Sequence, residues 1–466
     1  MSNKRKIEDM INNQTLEELG NRELARNKNK ETAKEKIESL LDEKSFVEIE
    51  PLHNKGIAAG YGTINARPVC IWAQDVINDN GAITSQNIQK IIKVFDMAVK
   101  VGCPIISIIE NAKICIEDNL DIMQAISKLI EKQVAVSGVI PQVAILFDSV
   151  IGGMAYSVAL NDFIYNVKAN NISACLEKSK KLNNSEYKKE ENELLSFEFA
   201  SKVECFNEVR KLFEFIPDNN LTDTEIFEAD LNKTSEMLNT ISEQDYDVKT
   251  IINEIVDESF LEVKSNLSVN SVIGFARIGG RAVGIVANSG DGILKASDFN
   301  KISRFVRFCD AFNLPIVTLV NTKGYDVKSN NVIISAGSRL FYAYAEATVP
   351  KINVILGDAF GSMYIAMGNI GKDITFAWPS AEICVANTES YVSIMDNDSI
   401  TSNEVREQKI EEYKQNNENV LLALEKGYID DIIIPATTRQ RIISALELFI
   451  NKRENRPVKK HGNIPV

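Results

Sequence analysis

Histidine is nearly absent from this chain. Only His53 and His461 occur among 466 residues, which excludes a His-rich metal centre and a Ser-His-Asp triad as the basis of its chemistry. No C-x-x-C pair occurs either; the seven cysteines (Cys70, Cys103, Cys115, Cys175, Cys205, Cys309 and Cys384) are scattered. In a chain without a secretion signal they read as reduced, mostly buried thiols. The opening MSNKRKIEDM lacks the apolar run of a signal peptide. No apolar stretch approaches the roughly 20 residues needed to cross a bilayer, so the expectation is a cytoplasmic protein. Positive charge is in deficit, with a formal net charge of -13. That argues against nucleic acid or an anionic membrane as the main partner. Neither Gly60-Tyr61-Gly62 nor Gly290-Asp291-Gly292 fits a dinucleotide or phosphate-loop fingerprint. The chemistry that remains must rest on backbone groups, carboxylates or a cofactor.

What is present is a globular composition, 44% hydrophobic, in a chain long enough for two domains. It also contains itself twice. GYGTINARPVCIWA (60–73) and GFARIGGRAVGIVA (274–287) share Gly, an aromatic, Ile, Arg, Val, Ile and Ala at matched places, 214 residues apart. The same offset carries the segment around Asp96 onto that around Asp310. Further on, IPQVAILFDSVIGGMAY (140–156) resembles VPKINVILGDAFGSMY (349–364), 209 residues apart. Three matches in one order establish an internal duplication.

Each copy reads as strand, strand, helix, strand, helix, strand, helix. Ile64 and Ile278 end a strand, and a tight turn leads to a second strand from Arg67 and Arg281. Phe299, Ile302, Val306 and Cys309 recur at helical spacing, as do Ile88, Ile91, Ile92 and Phe95. PIISII (104–109) and PIVTLVN (315–321) are continuous apolar runs, the pattern of strands buried on both faces. Helices alternating with such strands predict a tandem α/β architecture, divided into residues 1–265 and 266–466. The first 35 residues read as a charged helical lead-in. Residues 177–247 read as a solvated connector with amphipathic helices, whose apolar faces are brief, such as VRKLFEFI (209–216).

The candidate site lies at Gly-containing turns after buried strands. Gly152-Gly153 follows QVAILFDSV and opens MAYSVALND; Gly361-Ser362 follows INVILGDAF and opens MYIAM. A helix starting directly after a strand directs free backbone N–H groups out of its first turn. One such donor aimed at a developing negative oxygen lowers a barrier by roughly 2.7–4 kcal/mol. Missing Cβ atoms let a ligand approach the main chain. A single Gly-Gly at a helix start is equally well explained by close helix–strand packing; its recurrence in both copies favours function. The loops ENAKICIEDN (110–119) and NTKGYDVKSNN (321–331) follow the preceding buried strands; Gly324 suits the second for supplying a second N–H, whereas the first has no glycine and reads at least as well as a plain strand-to-helix loop.

GFARIGGRAVGIVAN (274–288), RFVRFCDAFNLPIVTLV (304–320), LFYAYAEATVPK (340–351), TFAWPSAEI (375–383) and GYIDDIIIPATTRQRI (427–442) closely resemble the carboxyltransferase subunit of propionyl-CoA carboxylase. They also resemble the related methylmalonyl-CoA and glutaconyl-CoA decarboxylase subunits. GYGTINARPVCIWAQD (60–75), SGVIPQ (137–142) and YSVALNDF (156–163) extend the likeness through the first copy.

The resemblance implies a pair of crotonase-like (ClpP/crotonase) domains assembled into a homohexamer, with a coenzyme A thioester on the first copy and biotin over the second. It implies two backbone oxyanion holes: Gly152 and Gly153 for the thioester, Ser362 and Met363 after Gly361 for biotin. Family members carry a Ser-Gly-Gly-Ala-Arg loop where this chain has Glu110-Asn111-Ala112-Lys113-Ile114, so Ala112 and Lys113 are expected to border the thioester. Asn321-Thr322-Lys323-Gly324-Tyr325 replaces an Asp-Val-Pro-Gly-Phe-like turn, placing Gly324 and Tyr325 beside the second ligand. No Met-Lys-Met-like attachment turn occurs, so biotin is expected on a separate carrier protein, with a biotin carboxylase or a membrane decarboxylase subunit as a further partner. Two alternatives stay open: a non-catalytic scaffold subunit of such a complex, and a biotin-independent crotonase-like enzyme with Glu110 or Asp148 as base.

Overall fold

The computed structural model describes all residues except 1–2, 29, 52–55, 78–81, 111–113, 169–171, 174–192, 243–246, 259, 289–291, 326–329, 396–402, 418–419 and 466. The chain forms two compact units, Met1–Asp223 and Thr224–Val466.

The first unit opens with the charged helix α1 (Asn3–Asn27) and α2 (Ala33–Leu40). Thr32 starts α2 by a reciprocal cap: its hydroxyl accepts the Glu35 N–H at 3.2 Å, and the Glu35 carboxylate accepts the Thr32 N–H at 2.9 Å. Strands β1 (Val47–Glu48), β2 (Ile57–Ile64) and β3 (Arg67–Gln74) follow, then α3 (Ser85–Val101), β4 (Ile105–Ile109), α4 (Leu120–Val136), β5 (Gln142–Leu146) and the short β6 (Val150–Ile151). The unit ends with α5 (Gly153–Ala159), β7 (Phe163–Val167), β8 (Ile172–Ser173), β9 (Phe197–Phe199) and α6 (Lys202–Phe215). The sheet order is β1-β2-β3-β4-β5-β7-β9, antiparallel in the hairpin and parallel from β3 onward. β4 and β5 are buried at every position, because helices cover both faces of a parallel sheet. Ile88, Ile91 and Phe95 of α3 and Ile122, Ile126 and Leu129 of α4 form the core with Trp72 of β3. Residues 209–216 carry the apolar face of an amphipathic helix, as expected, and belong to the first unit. They lie mostly in α6, whose Cys205, Phe206, Val209, Leu212 and Phe213 are buried, since α6 packs on β7 and β9.

The second unit begins with α7 (Met237–Ile241), α8 (Val248–Ile255) and β10 (Phe260–Val263). Val248, Ile251, Ile252 and Ile255 of α8 join the second core, so residues 224–265 group with this unit. The repeat then recurs as β11 (Ser271–Ile278), β12 (Arg281–Asn288), β13 (Ile293–Leu294), α9 (Ala296–Ala311), β14 (Ile316–Thr322), β15 (Gly324–Tyr325), α10 (Asn330–Glu346), β16 (Lys351–Phe360) and α11 (Gly361–Tyr364). Strands β17 (Ile374–Ala377), β18 (Glu382–Cys384) and β19 (Asp431–Ile432) and helices α12 (Thr388–Met395), α13 (Asn403–Asn417), α14 (Val420–Glu425) and α15 (Thr438–Phe449) complete it. Its sheet runs β10-β11-β12-β14-β16-β17-β19, with β18 beside β16. Trp378 anchors this core; its indole N–H donates to the Thr438 hydroxyl at 2.9 Å.

The duplication extends to hydrogen bonds. Each hairpin turn takes two residues at positive φ, Asn65 and Ala66 in the first copy and Gly279 and Gly280 in the second, as the right-handed strand twist demands. A carboxylate binds both turn amides each time: Asp42 accepts from Asn65 and Ala66 at 3.1 and 2.9 Å, Asp257 from Gly279 and Gly280 at 3.0 and 2.6 Å. A following helix supplies an arginine to each carboxylate, Arg210 to Asp42 and Arg439 to Asp257. The fold is therefore a tandem pair of α/β domains built on one plan.

Candidate functional site

In each unit the parallel strands end at one sheet edge, where α/β proteins place ligands. At that edge in the first unit, β6 turns into α5 through Gly152, held at φ 65 and ψ -142. That backbone region is essentially reserved for glycine. Gly153 opens α5, and a Cβ there would lie 3.2 Å from the Ile126 side chain. The two glycines thus have different causes: backbone geometry requires Gly152, and packing against α4 favours Gly153. In the first turn of α5 the Ala155 N–H donates to the Gly152 carbonyl at 3.0 Å, while the amides of Gly153 and Met154 come before any acceptor of their own helix.

The second unit repeats the turn 209 residues on. Gly361 takes φ 58 directly after β16, and α11 passes into a π-helical turn over Ile365–Asn369. Such widened turns concentrate at functional sites. Ser362 is exposed, whereas Met363 is buried.

The flanking loops are tied alike. In the first unit Ile83 bridges Ile114, and the Cys115 N–H donates to the Ile83 carbonyl at 2.9 Å. In the second, β13 pairs with β15, matching Ile293 to Gly324 and Leu294 to Tyr325. The Lys323 N–H and the Thr322 hydroxyl both donate to the Gly292 carbonyl, at 3.2 and 3.1 Å. Gly324 has φ 148, with nothing within 4 Å of where its Cβ would stand. β15 lies against α11, which brings Gly324 and Tyr325 together with Gly361, Ser362 and Met363. Ala112 and Lys113 lie outside the described residues, and Gly152 and Gly153 are the described first-unit candidates.

The described carboxylates at these edges have polar partners. Glu110 is half-buried rather than exposed and forms an ion pair with the buried Lys36 of α2. Asp75, just beyond β3, is raised above the ordinary carboxyl range by burial, with the Ile77 amide and Lys36 opposing. Asp148 is exposed and accepts from the Ser149 amide at 2.7 Å. Lys323 and Asp358 approach to 3.8 Å in the second unit. What the two edges offer a ligand is chiefly backbone amide groups, the arrangement suited to holding a negative oxygen.

Sequence reading missed two buried amide side chains at these edges. Gln74, the last residue of β3, accepts the Glu110 N–H at 3.3 Å, and Asn288, the last residue of β12, accepts the Asn321 N–H at 3.2 Å. They are again 214 residues apart, one position beyond the matched repeat segments; carrying the alignment one residue further finds them.

The chain as a whole is similar to known proteins. The carboxyl transferase domain family matches residues 24–464. A putative propionyl-CoA carboxylase beta chain of Bacillus subtilis (strain 168) is 35% identical, with 97% of each chain covered. The methylmalonyl-CoA decarboxylase subunit alpha of Veillonella parvula is 34% identical over 94% of this chain and 93% of its own. Among solved structures, the transcarboxylase 12S hexamer with methylmalonyl-CoA and methylmalonic acid bound superposes with a TM-score of 0.90. It is 32% identical, covering 100% of this chain and 99% of that one.

Proposed function

This chain belongs to the carboxyl transferase family, and we propose that it is the carboxyltransferase subunit of a biotin-dependent acyl-CoA carboxylase or decarboxylase. Its substrates are short acyl-CoA pairs, propionyl- and methylmalonyl-CoA or acetyl- and malonyl-CoA. The observation that carries this reading is the glycine-led turn repeated at the same edge of both units, in a chain that superposes over its whole length on a methylmalonyl-CoA-binding transcarboxylase.

When the carboxylate leaves C2 of the thioester, the electron pair of the breaking bond moves onto the thioester oxygen. The N–H groups of Gly152 and Gly153 hold that oxygen, each donor contributing roughly 2.7–4 kcal/mol. Ala112 and Lys113 border the thioester. In the second unit, the turn at Gly361, with the amides of Ser362 and Met363, would hold the ureido oxygen of biotin, with Gly324 and Tyr325 beside it. The fit there rests on Gly324, with nothing within 4 Å of where its Cβ would stand, and on the exposed Ser362 beside the half-buried Gly361. Biotin, brought by a separate carrier protein, supplies the nitrogen that takes or gives the carboxylate. The chain works as a homohexamer with that carrier and with a biotin carboxylase or a membrane decarboxylase subunit. Glu110 and Asp148 serve no base role in this scheme, Glu110 being committed to Lys36.

The test is incubation with free biotin and methylmalonyl-CoA or malonyl-CoA, following release of propionyl- or acetyl-CoA. Biotin-dependent release is the expected result. If neither thioester reacts and calorimetry detects no coenzyme A binding, the chain is instead a scaffold subunit. Release at equal rates without biotin would point to a biotin-independent crotonase-like enzyme.

A further inference from the structure

The C-terminal edge of the second sheet is held by side-chain amides where its backbone ladder fails. Between β14 and β16 the register shifts: Val320 matches Ile355, yet Thr322 matches Ala359. Asn321 sits in that gap. Its N–H donates to the Asn288 side chain at 3.2 Å, and its own side-chain oxygen accepts the Asp358 N–H at 3.1 Å. Asn288, Asn321 and Asp358 thereby join β12, β14 and β16 in one relay. The relay stops three residues before Gly361 on one side and three before Gly324 on the other. Strand irregularities of this kind re-aim the groups beside them.

Asn288 is only 2% exposed, and its Nδ2 has no hydrogen-bond partner among the described residues. A buried donor left unmade is destabilising; a residue kept solely for folding would more easily be apolar. The first unit uses the same device with a different residue, since Gln74 takes the Glu110 amide at the equivalent place. Two amides of different length doing one job indicate that the contact itself is what is needed.

We infer that Asn288 is a positioning residue for carboxyl transfer, acting through Asn321 to fix the spacing between the Gly324 loop and the Gly361 turn. This rests on the proposed function and adds to it a residue that touches neither ligand. Small displacements of positioning groups cost about 100-fold in rate when reacting atoms move by about 1 Å. Asn288→Ala in the full-length chain is therefore expected to lower kcat of biotin-dependent decarboxylation about 10- to 100-fold. KM for the thioester should stay within about twofold, because thioester binding belongs to the other unit. Hydrogen exchange at the Asn321 amide should accelerate in the same variant. Asn288→Gln, the side chain the first copy uses, should restore both the protection and most of the rate.

Unchanged protection at Asn321 in Asn288→Ala overturns the proposal, as does faster exchange with kcat within about twofold of the parent. A rate loss that follows a drop in global stability, with Asn288→Gln giving no rescue, also overturns it. Failure of the proposed function is visible separately: the parent chain would then be inactive with both thioesters before any variant is made, and the positioning role would fall with it.

Discussion

Lys301, in the middle of α9, donates from its buried ammonium to the Ser271 carbonyl at 2.8 Å, at the start of β11. Lys90 of α3 makes the matching bond to Ile57 at 3.2 Å. Both lysines are almost wholly buried, and in each copy one tethers the first long helix to the first hairpin strand. Lys301 serves further carbonyls as well, Leu267 at 2.9 Å and Ser268 at 3.4 Å. Lys301→Met keeps the aliphatic stem but strands these acceptors. With each orphaned buried acceptor costing roughly 1–3 kcal/mol, a loss of about 3 kcal/mol is expected. Urea unfolding would read it as a lower midpoint at unchanged slope; a midpoint equal to the parent's would remove the tether from the account.

Asp42 makes stability pH-dependent in acid. Burial alone would raise its carboxyl, but hydrogen bonds from the Ala66 amide, Thr63, Arg210 and the Asn65 amide outweigh that and hold it at about 2, against an ordinary 3.8. The folded state therefore binds this proton less readily than the unfolded chain. The stabilisation is fully present above pH 3.8 and is lost as pH falls through about 2. A shift of that size corresponds to about 2 kcal/mol. Asp42→Asn should flatten the fall in unfolding free energy over this window, and parallel acid-denaturation curves for parent and variant would refute the assignment.

The two hairpin turns predict opposite responses to one methyl group. Ala66 stands at φ 63, where the second copy has Gly280 at φ 77. An L-residue held in the left-handed region costs roughly 1–2 kcal/mol. Ala66→Gly should recover about 1 kcal/mol, less than the full strain because glycine also loosens the unfolded chain. Gly280→Ala should destabilise by more, since its Cβ would collide with the Phe227 carbonyl oxygen as well as incurring the strain. Differential scanning calorimetry on the two variants decides it, and a raised Tm for Gly280→Ala would be incompatible with this turn.

Much of this was legible in the sequence because it is local or repeated. The helical spacing of Ile88, Ile91 and Phe95 marks α3, and the apolar run at 104–109 marks β4, through their own periodicities. The turns at Gly152 and Gly361 were legible only because each validates the other. What escaped reading depends on partners far along the chain. Lys36 and Glu110 are 74 residues apart, and each taken alone resembles a solvated charge. Lys90 and Lys301 likewise resemble the polar face of an amphipathic helix until the hairpin carbonyls they reach are known. Asn288 and Gln74 end apolar strands, where a lone amide carries no periodic signal; the register shift that makes Asn321 need a partner appears only once β14 lies beside β16.

The strongest test of the site is the pair Gly152→Ala and Gly361→Ala, because the two turns are proposed to hold different ligands. At Gly152, φ 65 with ψ -142 excludes a Cβ without moving the backbone, so alanine must rotate the peptide planes that carry the amides of Gly152 and Gly153. The stability cost should be about 1–3 kcal/mol, the usual strain at such a position, and α5 has only seven residues to distort. The catalytic cost should be larger, about 100- to 1000-fold in kcat, as for loss of one oxyanion donor. At Gly361, φ 58 and the Val385 carbonyl 3.1 Å from the would-be Cβ give alanine the same conflict in the other unit. Coenzyme A affinity by calorimetry should survive Gly361→Ala, while biotin-dependent decarboxylation falls. Were Gly152→Ala to unfold α5 yet leave turnover near the parent rate, the first turn would be a packing device, and the thioester oxygen would have to be held elsewhere on this edge.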